Sequence, residues 1–200
     1  MREKIYDRIK NKIEGYQEGE IFFTSDFSEI ASLVTIRKCL GRQVGEGTIK
    51  RIIDGVYEKP KFSKVLNDYI PPDPEKIAYA IARKYHWTIS PCGDVALNKL
   101  GLSTQVPAVW TYISDGPYRE YKWDNIIITF KHKTNRQISL MSEISTTVVE
   151  ALRTLGKDSI EDETISALRR RLNSRDKEIL LSETKDSASW IYEIIRKVCV

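Results

Sequence analysis

Basic side chains are concentrated in one stretch of the sequence, between Thr35 and Lys64. This stretch holds eight Lys or Arg residues against three acids, a local net charge of +5, whereas the whole 200-residue chain carries +4. Neutralising nucleic-acid phosphates with such side chains releases counterions and supplies much of the affinity of proteins for DNA. The concentration of charge therefore predicts DNA binding by this stretch, with a solvated structural surface as the alternative.

Three of these basic residues fall on a predicted helix, mostly outside its apolar stripe: Arg37, Lys38 and Arg42. A helix that enters the major groove reads bases through such side chains, and arginine suits bidentate contact with guanine. The three residues are therefore our candidates for base or phosphate contacts, with a solvated surface as the alternative for each. Ser32 and Thr35 lie at the start of the same helix, where a hydroxyl can donate to a phosphate or cap the helix.

The remaining basic residues of the stretch lie on a predicted β-hairpin and just beyond it: Lys50, Arg51, Lys59, Lys61 and Lys64. Lys50 and Arg51 alternate between the two faces of one strand, so we expect only one of them to meet DNA. The three lysines that follow the hairpin either track the DNA backbone or line a linker.

Two short helices are predicted to position these side chains. Ser25 can cap the first helix, over about residues 26–31, because its hydroxyl can accept from the exposed first-turn N–H groups. The second helix begins after Ser32 or Thr35 and carries apolar residues at helical spacing on one face. Two glycines end it, Gly45 and Gly47.

A β-hairpin is predicted after the second helix. Strands over residues 48–53 and 56–58 flank Asp54-Gly55, a pair that favours a two-residue hairpin turn. An amphipathic helix over residues 2–14 comes first, and the apolar run Ile21–Phe23 predicts a small strand that pairs with the hairpin. Helix, strand, two helices and hairpin is the order of a winged helix-turn-helix.

The fold class predicted for the whole chain is α+β. Four prolines between residues 60 and 74 prevent a continuous helix, and we place a domain break near residue 70. The winged helix-turn-helix would occupy residues 1–70. A mixed α/β domain would occupy residues 71–200, with its strands in 71–140 and a helical tail in 141–200.

Residues suited to enzyme chemistry are sparse. The sequence holds no G-x-x-x-x-G-K-[ST], G-x-S-x-G or H-E-x-x-H motif. A nuclease would hold Mg²⁺ with an E-x-K and an upstream acid, and Glu120 and Lys122 with Asp94 or Asp115 fit that pattern. A second E-x-K begins at Glu183 in the predicted helical tail, which indicates that the pattern arises by chance. We therefore expect no catalytic residue, metal site or cofactor.

The sequence favours a cytoplasmic location without a membrane partner. No run approaches the ~18 apolar residues that a spanning helix needs, and the charged N-terminus lacks the apolar core of a secretory signal. Three scattered cysteines, Cys39, Cys92 and Cys199, form no C-x-x-C pair. They therefore support neither a disulfide framework nor a zinc site.

A resemblance to a known family rests on the string FFTSDFSEIASLVTIRKCLGRQVGEGTIKRIIDGVYEKP. It resembles the N-terminal winged helix of AbiEi-type antitoxins and related bacterial regulators. The shared elements are a loosely matched opening with Phe23 and Asp26, a basic helix, a Gly-x-Ile-x-Arg-Ile start of the wing and a Gly-Val-Tyr end. The string DPEKIAYAIARKYHWTISPCGDVALNKLGLSTQVP looks like the start of the associated C-terminal domain.

This resemblance implies the antitoxin and autorepressor of a type IV toxin–antitoxin pair that acts in phage defence. It implies a winged helix that binds inverted repeats in promoter DNA, as a monomer or dimer. It also implies a C-terminal domain that neutralises a nucleotidyltransferase-like toxin encoded nearby. Two alternatives stay open: a nuclease or other catalytic domain delivered to DNA by the winged helix, and a protein-interaction module without DNA binding.

Overall fold

The computed structural model describes residues 2–134, 138 and 140–200. The chain divides into two compact units, Met1–Ile81 and Ala82–Val200, and helices and strands are mixed, so the fold is α+β. The division falls within a helix that starts at Pro74, whereas the sequence places a break near residue 70. The sequence also predicts a turn at Asn135-Arg136, and these two residues lie outside the described part of the chain.

The first unit combines two helices with a small sheet. Up to residue 58 its elements are α1 (Arg2–Glu14), β1 (Ile21–Phe23), a 3-10 helix (Thr24–Phe27), α2 (Leu33–Gly45), β2 (Lys50–Ile53) and β3 (Val56–Glu58). The three strands form an antiparallel sheet in the order β1-β3-β2, which confirms the predicted pairing of β1 with the hairpin. Gly55 has a φ of 73° in the turn between β2 and β3, a conformation that glycine adopts readily.

An apolar cluster joins α1 and α2 to this sheet: Ile9, Ile13, Phe22, Phe27, Ile36, Leu40, Ile49 and Tyr57. The rings of Phe22 and Tyr57 stack with centroids 5.8 Å apart. Because Ile36 and Leu40 lie on one side of α2, the packing buries that side and leaves the opposite side of the helix in solvent.

The short helix predicted over residues 26–31 is wrong in both position and type. The chain instead forms the 3-10 helix Thr24–Phe27, which turns follow. Asp26 Oδ2 accepts from the Phe23 N–H at 2.7 Å. Asp26, inside the 3-10 helix, therefore provides the hydrogen bond for the backbone amide of the preceding residue Phe23. Ser25 lies inside the 3-10 helix, and its predicted capping role is therefore wrong.

The proline-rich boundary region forms a second hairpin, which the sequence does not predict. Its strands are β4 (Lys61–Ser63) and β5 (Asp68–Ile70). Every residue from 61 to 70 is exposed except the half-buried Ser63. Val65 is 95% exposed at the tip, and Phe62 packs against Tyr69 with ring centroids 5.3 Å apart. The hairpin therefore carries its large apolar side chains in solvent.

The second unit begins within α3 (Pro74–Tyr85) and contains a four-stranded sheet followed by a helical part. Its further elements are β6 (Ile89–Pro91), α4 (Asp94–Lys99), β7 (Val109–Ser114), β8 (Arg119–Trp123), β9 (Ile126–His132), α5 (Glu143–Leu155), α6 (Asp162–Arg171), α7 (Ser174–Glu183) and α8 (Ser189–Cys199). The strand order is β6-β7-β9-β8, with β7 and β9 parallel and the other pairs antiparallel. The helices expected in residues 141–200 are present.

Packing in the second unit separates a helical core from an aromatic cluster on the sheet. Helices α4 to α8 contribute to one apolar core, which includes Leu152, Leu168 and Ile195. Trp87 contacts Phe130 on β9 with ring centroids 5.6 Å apart, and a Cβ atom added at Gly116 would lie 2.4 Å from the Trp87 ring. Gly116 is therefore required because the indole packs directly on its backbone.

Candidate nucleic-acid interface

Helix α2 has the beginning and end that the sequence predicts. Ser32 is its N-cap residue, with extended backbone angles. The Ser32 and Thr35 hydroxyls lie 3.0 Å apart and hydrogen-bond to each other, whereas the Ser32 side chain accepts from no helix N–H. Gly47 follows the helix with a φ of 72°, which helps to turn the chain toward β2.

The outward face of α2 combines basic and apolar side chains. Up to Arg42, the exposed residues of α2 are Leu33, Val34, Arg37, Lys38, Gly41 and Arg42. Leu33 is 51% exposed and Val34 is 65% exposed, and neither is among the residues that the sequence pattern singles out. Their signal is spacing, because each lies four residues before a basic residue on the same face. Apolar side chains in such positions can contact thymine methyl groups in a major groove.

Arg37 and Lys38 are exposed on this face. Within the described part of the chain, neither side chain has a hydrogen-bond or ion-pair partner. The fold therefore leaves both positive charges available to an external ligand.

Arg42 is held by contacts within the protein. Its guanidinium lies 4.4 Å from the centre of the Tyr6 ring on α1, and its Nε donates to Glu46 Oε1 at 2.9 Å. Tyr6 donates its hydroxyl hydrogen to the other Glu46 oxygen at 2.6 Å. Hydrogen bonds from Tyr6 and Arg42 hold the pKa of the Glu46 carboxyl below its usual value. Arg42 thus links α1 to α2, and DNA contact would compete with this arrangement.

Lys59 is also held by hydrogen bonds within the protein. Its Nζ donates to the carbonyl oxygens of Glu14 and Tyr16, each at 2.7 Å. These carbonyls lie at and beyond the C-terminal end of α1, where a positive charge is favourable. Lys59 therefore fastens the segment that leaves α1 to the segment that follows β3.

The hairpin strands hold the other predicted contacts at the surface. Lys50 lies opposite Glu58 in the strand register, and Arg51 Nη2 donates to Asp54 Oδ1 at 2.5 Å. Lys61 lies on β4 and Lys64 in the following turn, and both are exposed. The structure thus places Arg51 next to the β2–β3 turn and the two lysines on the second hairpin.

The E-x-K residues do not converge with the acid that follows β7. Glu120 lies opposite Thr129, whereas Ser114, the residue before Asp115, lies opposite His132. Three residues along β9 correspond to about 10 Å, and β9 also separates β8 from β7. Asp115 Oδ1 instead accepts from the Thr88 N–H at 2.8 Å. Among the described residues, no group of three or more His, Cys, Asp or Glu could hold a metal ion.

These features define a mixed α+β protein whose first unit presents a basic helix face beside a β-hairpin. Residues 8–180 match the model of a family of unknown function, DUF6088, and the chain belongs to this family. No curated protein matches the sequence. Across the described residues, no helix combines the length and apolar character needed to cross a membrane.

Proposed function

We propose that this protein is a DNA-binding transcriptional autorepressor and the antitoxin of a type IV, AbiE-like toxin–antitoxin system. In this proposal the first unit is a winged helix-turn-helix. The order α1, β1, 3-10 helix, α2, β2 and β3 with a three-stranded antiparallel sheet supports that assignment. Helix α2 takes the place of the recognition helix, and the β2–β3 hairpin takes the place of the wing.

The observation that carries the proposal is the outward face of α2. Arg37 and Lys38 are exposed and have no partner among the described residues, and Val34 lies one turn before Lys38. In a major groove, Arg37 would donate to a guanine edge or a phosphate, Lys38 to a phosphate, and Val34 would contact a thymine methyl group. In this proposal Arg42 and Lys59 stabilise the first unit and do not contact DNA directly, because their side chains already bind Glu46 and the Glu14 carbonyl.

The remaining parts of the proposal follow from the resemblance to AbiEi-type antitoxins. Paired protomers would match an inverted repeat in the promoter, and the second unit would bind a nucleotidyltransferase-like toxin in the cytoplasm. Residues 142–200 carry ten Lys or Arg against eleven Asp or Glu. This balanced charge suits a protein partner better than a nucleic acid.

A gel-shift experiment on the DNA upstream of the protein's own gene tests the proposal. At about 50 mM salt we expect a sequence-preferring complex that weakens steeply at about 200 mM, because several phosphate contacts release counterions. Arg37→Ala and Lys38→Ala should each lower the affinity about tenfold, as expected for one lost base or phosphate contact. Arg170→Ala is the matched control, since Arg170 is an exposed arginine on α6.

Three results would contradict the proposal. Absence of any complex at about 50 mM salt would favour a protein-interaction module, and equal losses in all three variants would indicate attraction by total charge alone. Cleavage of plasmid DNA in Mg²⁺ that both Glu120→Ala and Lys122→Ala abolish would favour a nuclease. Toxin binding needs its own test, in which the product of the neighbouring gene is co-purified with the chain.

A further inference from the structure

Gly41 lies in the interior of α2, where the fold gives no reason for a glycine. The residue is exposed, and its φ is outside the positive region that favours glycine. A Cβ atom at this position would meet no atom within 4 Å. Glycine in a helix interior is less favourable than alanine because it loses more backbone freedom on folding. A role in ligand binding would explain the glycine, because the absence of a side chain lets a ligand approach the helix backbone closely.

Gly41 forms part of an open groove between α2 and the β2–β3 turn. The groove has a volume of about 340 Å³ and is lined by Arg37, Gly41, Val44, Arg51, Asp54 and Tyr57. It is therefore bounded by the proposed recognition helix on one side and the proposed wing on the other. A helix in one DNA groove and a hairpin in the next must lie on either side of a single sugar-phosphate strand.

The charges that line the groove suit one phosphodiester. Two guanidinium groups and one carboxylate leave a net charge of +1, which matches the single negative charge of a backbone phosphate. The side chains of Arg51 and Asp54 are 52% and 76% exposed in their ion pair. An exposed pair contributes little to stability, so Arg51 can exchange the carboxylate for a phosphate oxygen at small cost.

We propose that this groove binds one backbone phosphate of the DNA, with Arg37 and Arg51 donating to its oxygens. Gly41 lets the sugar-phosphate strand approach the backbone of α2, and Asp54 keeps Arg51 oriented in the free protein. This assignment rests on the proposed function, DNA binding by α2, and it adds the position where the strand passes between the helix and the hairpin.

The test compares Gly41→Ala with Gly45→Ala in the full chain. Both glycines lie in α2, both are exposed, and a Cβ atom at either position would meet no atom within 4 Å. Both variants should therefore raise the melting temperature slightly, because alanine is the better helix former. Gly41→Ala should lower affinity for the upstream DNA about tenfold, and Gly45→Ala should leave it unchanged.

Ethylation interference identifies the phosphate itself. Ethylating one particular backbone phosphate should block binding of the wild-type protein. The same modification should have a smaller effect on Arg51→Ala, because Arg37 is then the only remaining proposed donor to that phosphate. The slope of affinity against salt concentration should also fall in Arg51→Ala by about the value of one phosphate contact.

The outcomes separate this assignment from the function on which it rests. If Gly41→Ala binds as tightly as wild type while Arg37→Ala and Lys38→Ala bind weakly, the groove assignment is wrong and the proposed function stands. If all of these variants bind as wild type does, the proposed function fails. If Gly41→Ala binds weakly but every interference site keeps its wild-type strength in Arg51→Ala, Arg51 holds no phosphate in the groove, and the assignment is overturned.

Discussion

Lys59 and Lys61 lie two positions apart, but their side chains have different environments. Lys59 donates to two carbonyl oxygens at the end of α1, whereas Lys61 is exposed and has no partner within the described ranges. Hydrogen bonds from a charged donor contribute more to stability than neutral ones do. Lys59 therefore stabilises the fold, whereas the charge of Lys61 is available to a ligand.

Substitution of the two lysines should change the free energy of unfolding by different amounts. Lys59→Ala should lower the free energy of unfolding by about 1–3 kcal/mol, because two carbonyl groups lose their donor. Lys61→Ala should change it by less than about 0.5 kcal/mol. Urea denaturation followed by circular dichroism measures both values. A larger loss in Lys61→Ala than in Lys59→Ala would show that the structural role of Lys59 is misassigned.

Part of the candidate site could be predicted from the sequence. Helical periodicity alone places Arg37 and Lys38 on the outward face of α2. The environment of Arg42 could not be predicted this way, because its partner Tyr6 lies on α1 and meets it only when the two helices pack. Lys59 illustrates the same limit, since it binds the Glu14 carbonyl 45 residues away.

At the scale of elements, the two hairpins of the first unit differ in how clearly the sequence predicts them. The β2–β3 hairpin has Asp54-Gly55 at its turn and buried residues on β3, so composition and turn chemistry agree. The β4–β5 hairpin lies among prolines and exposes its apolar residues. It therefore lacks the alternation of buried and exposed positions on which strand prediction depends.

The β4–β5 hairpin should be the first site of proteolysis. Two-stranded hairpins are marginally stable in water, and this one is exposed on nearly every residue. We expect brief trypsin treatment to cleave after Lys61 or Lys64 before any site in α2, as mass spectrometry of the fragments can establish. Lys64→Gln is the control and should remove the corresponding fragment. First cleavage after Arg37 or Lys38 would contradict this ranking of local stability.

At the scale of the whole molecule, each unit contains a buried or partly buried group that resists losing its proton. Partial burial raises the pKa of the Tyr16 hydroxyl in the first unit to about 12. Burial, with the nearby Glu150 charge, raises the pKa of the Cys92 thiol in the second unit to about 12. In the unfolded chain these groups ionise at lower pH, near 10 and 9. At pH values between the unfolded and folded pKa values, the unfolded chain binds fewer protons than the folded protein does. The free energy of unfolding therefore falls as pH rises through this range.

Alkaline solutions should therefore destabilise the protein well before its lysines lose their charge completely. We expect the melting temperature to fall progressively between about pH 9 and pH 11, beginning with the contribution of Cys92. Cys92→Ala should reduce the fall at the lower end of this range, and Tyr16→Phe should reduce it at the upper end. Thermal melts at a series of pH values measure the effect. A melting temperature that stays constant over this range would contradict the assigned burial of both groups.

The division of the chain also assigns its optical signals. All four tryptophans, Trp87, Trp110, Trp123 and Trp190, belong to the unit Ala82–Val200. Tryptophan emission therefore reports the second unit selectively, whereas far-ultraviolet circular dichroism reports helices in both. Recording the two signals during one denaturation reveals whether the units unfold together or in succession. A tryptophan introduced at Phe22 would give the first unit a fluorescent reporter of its own.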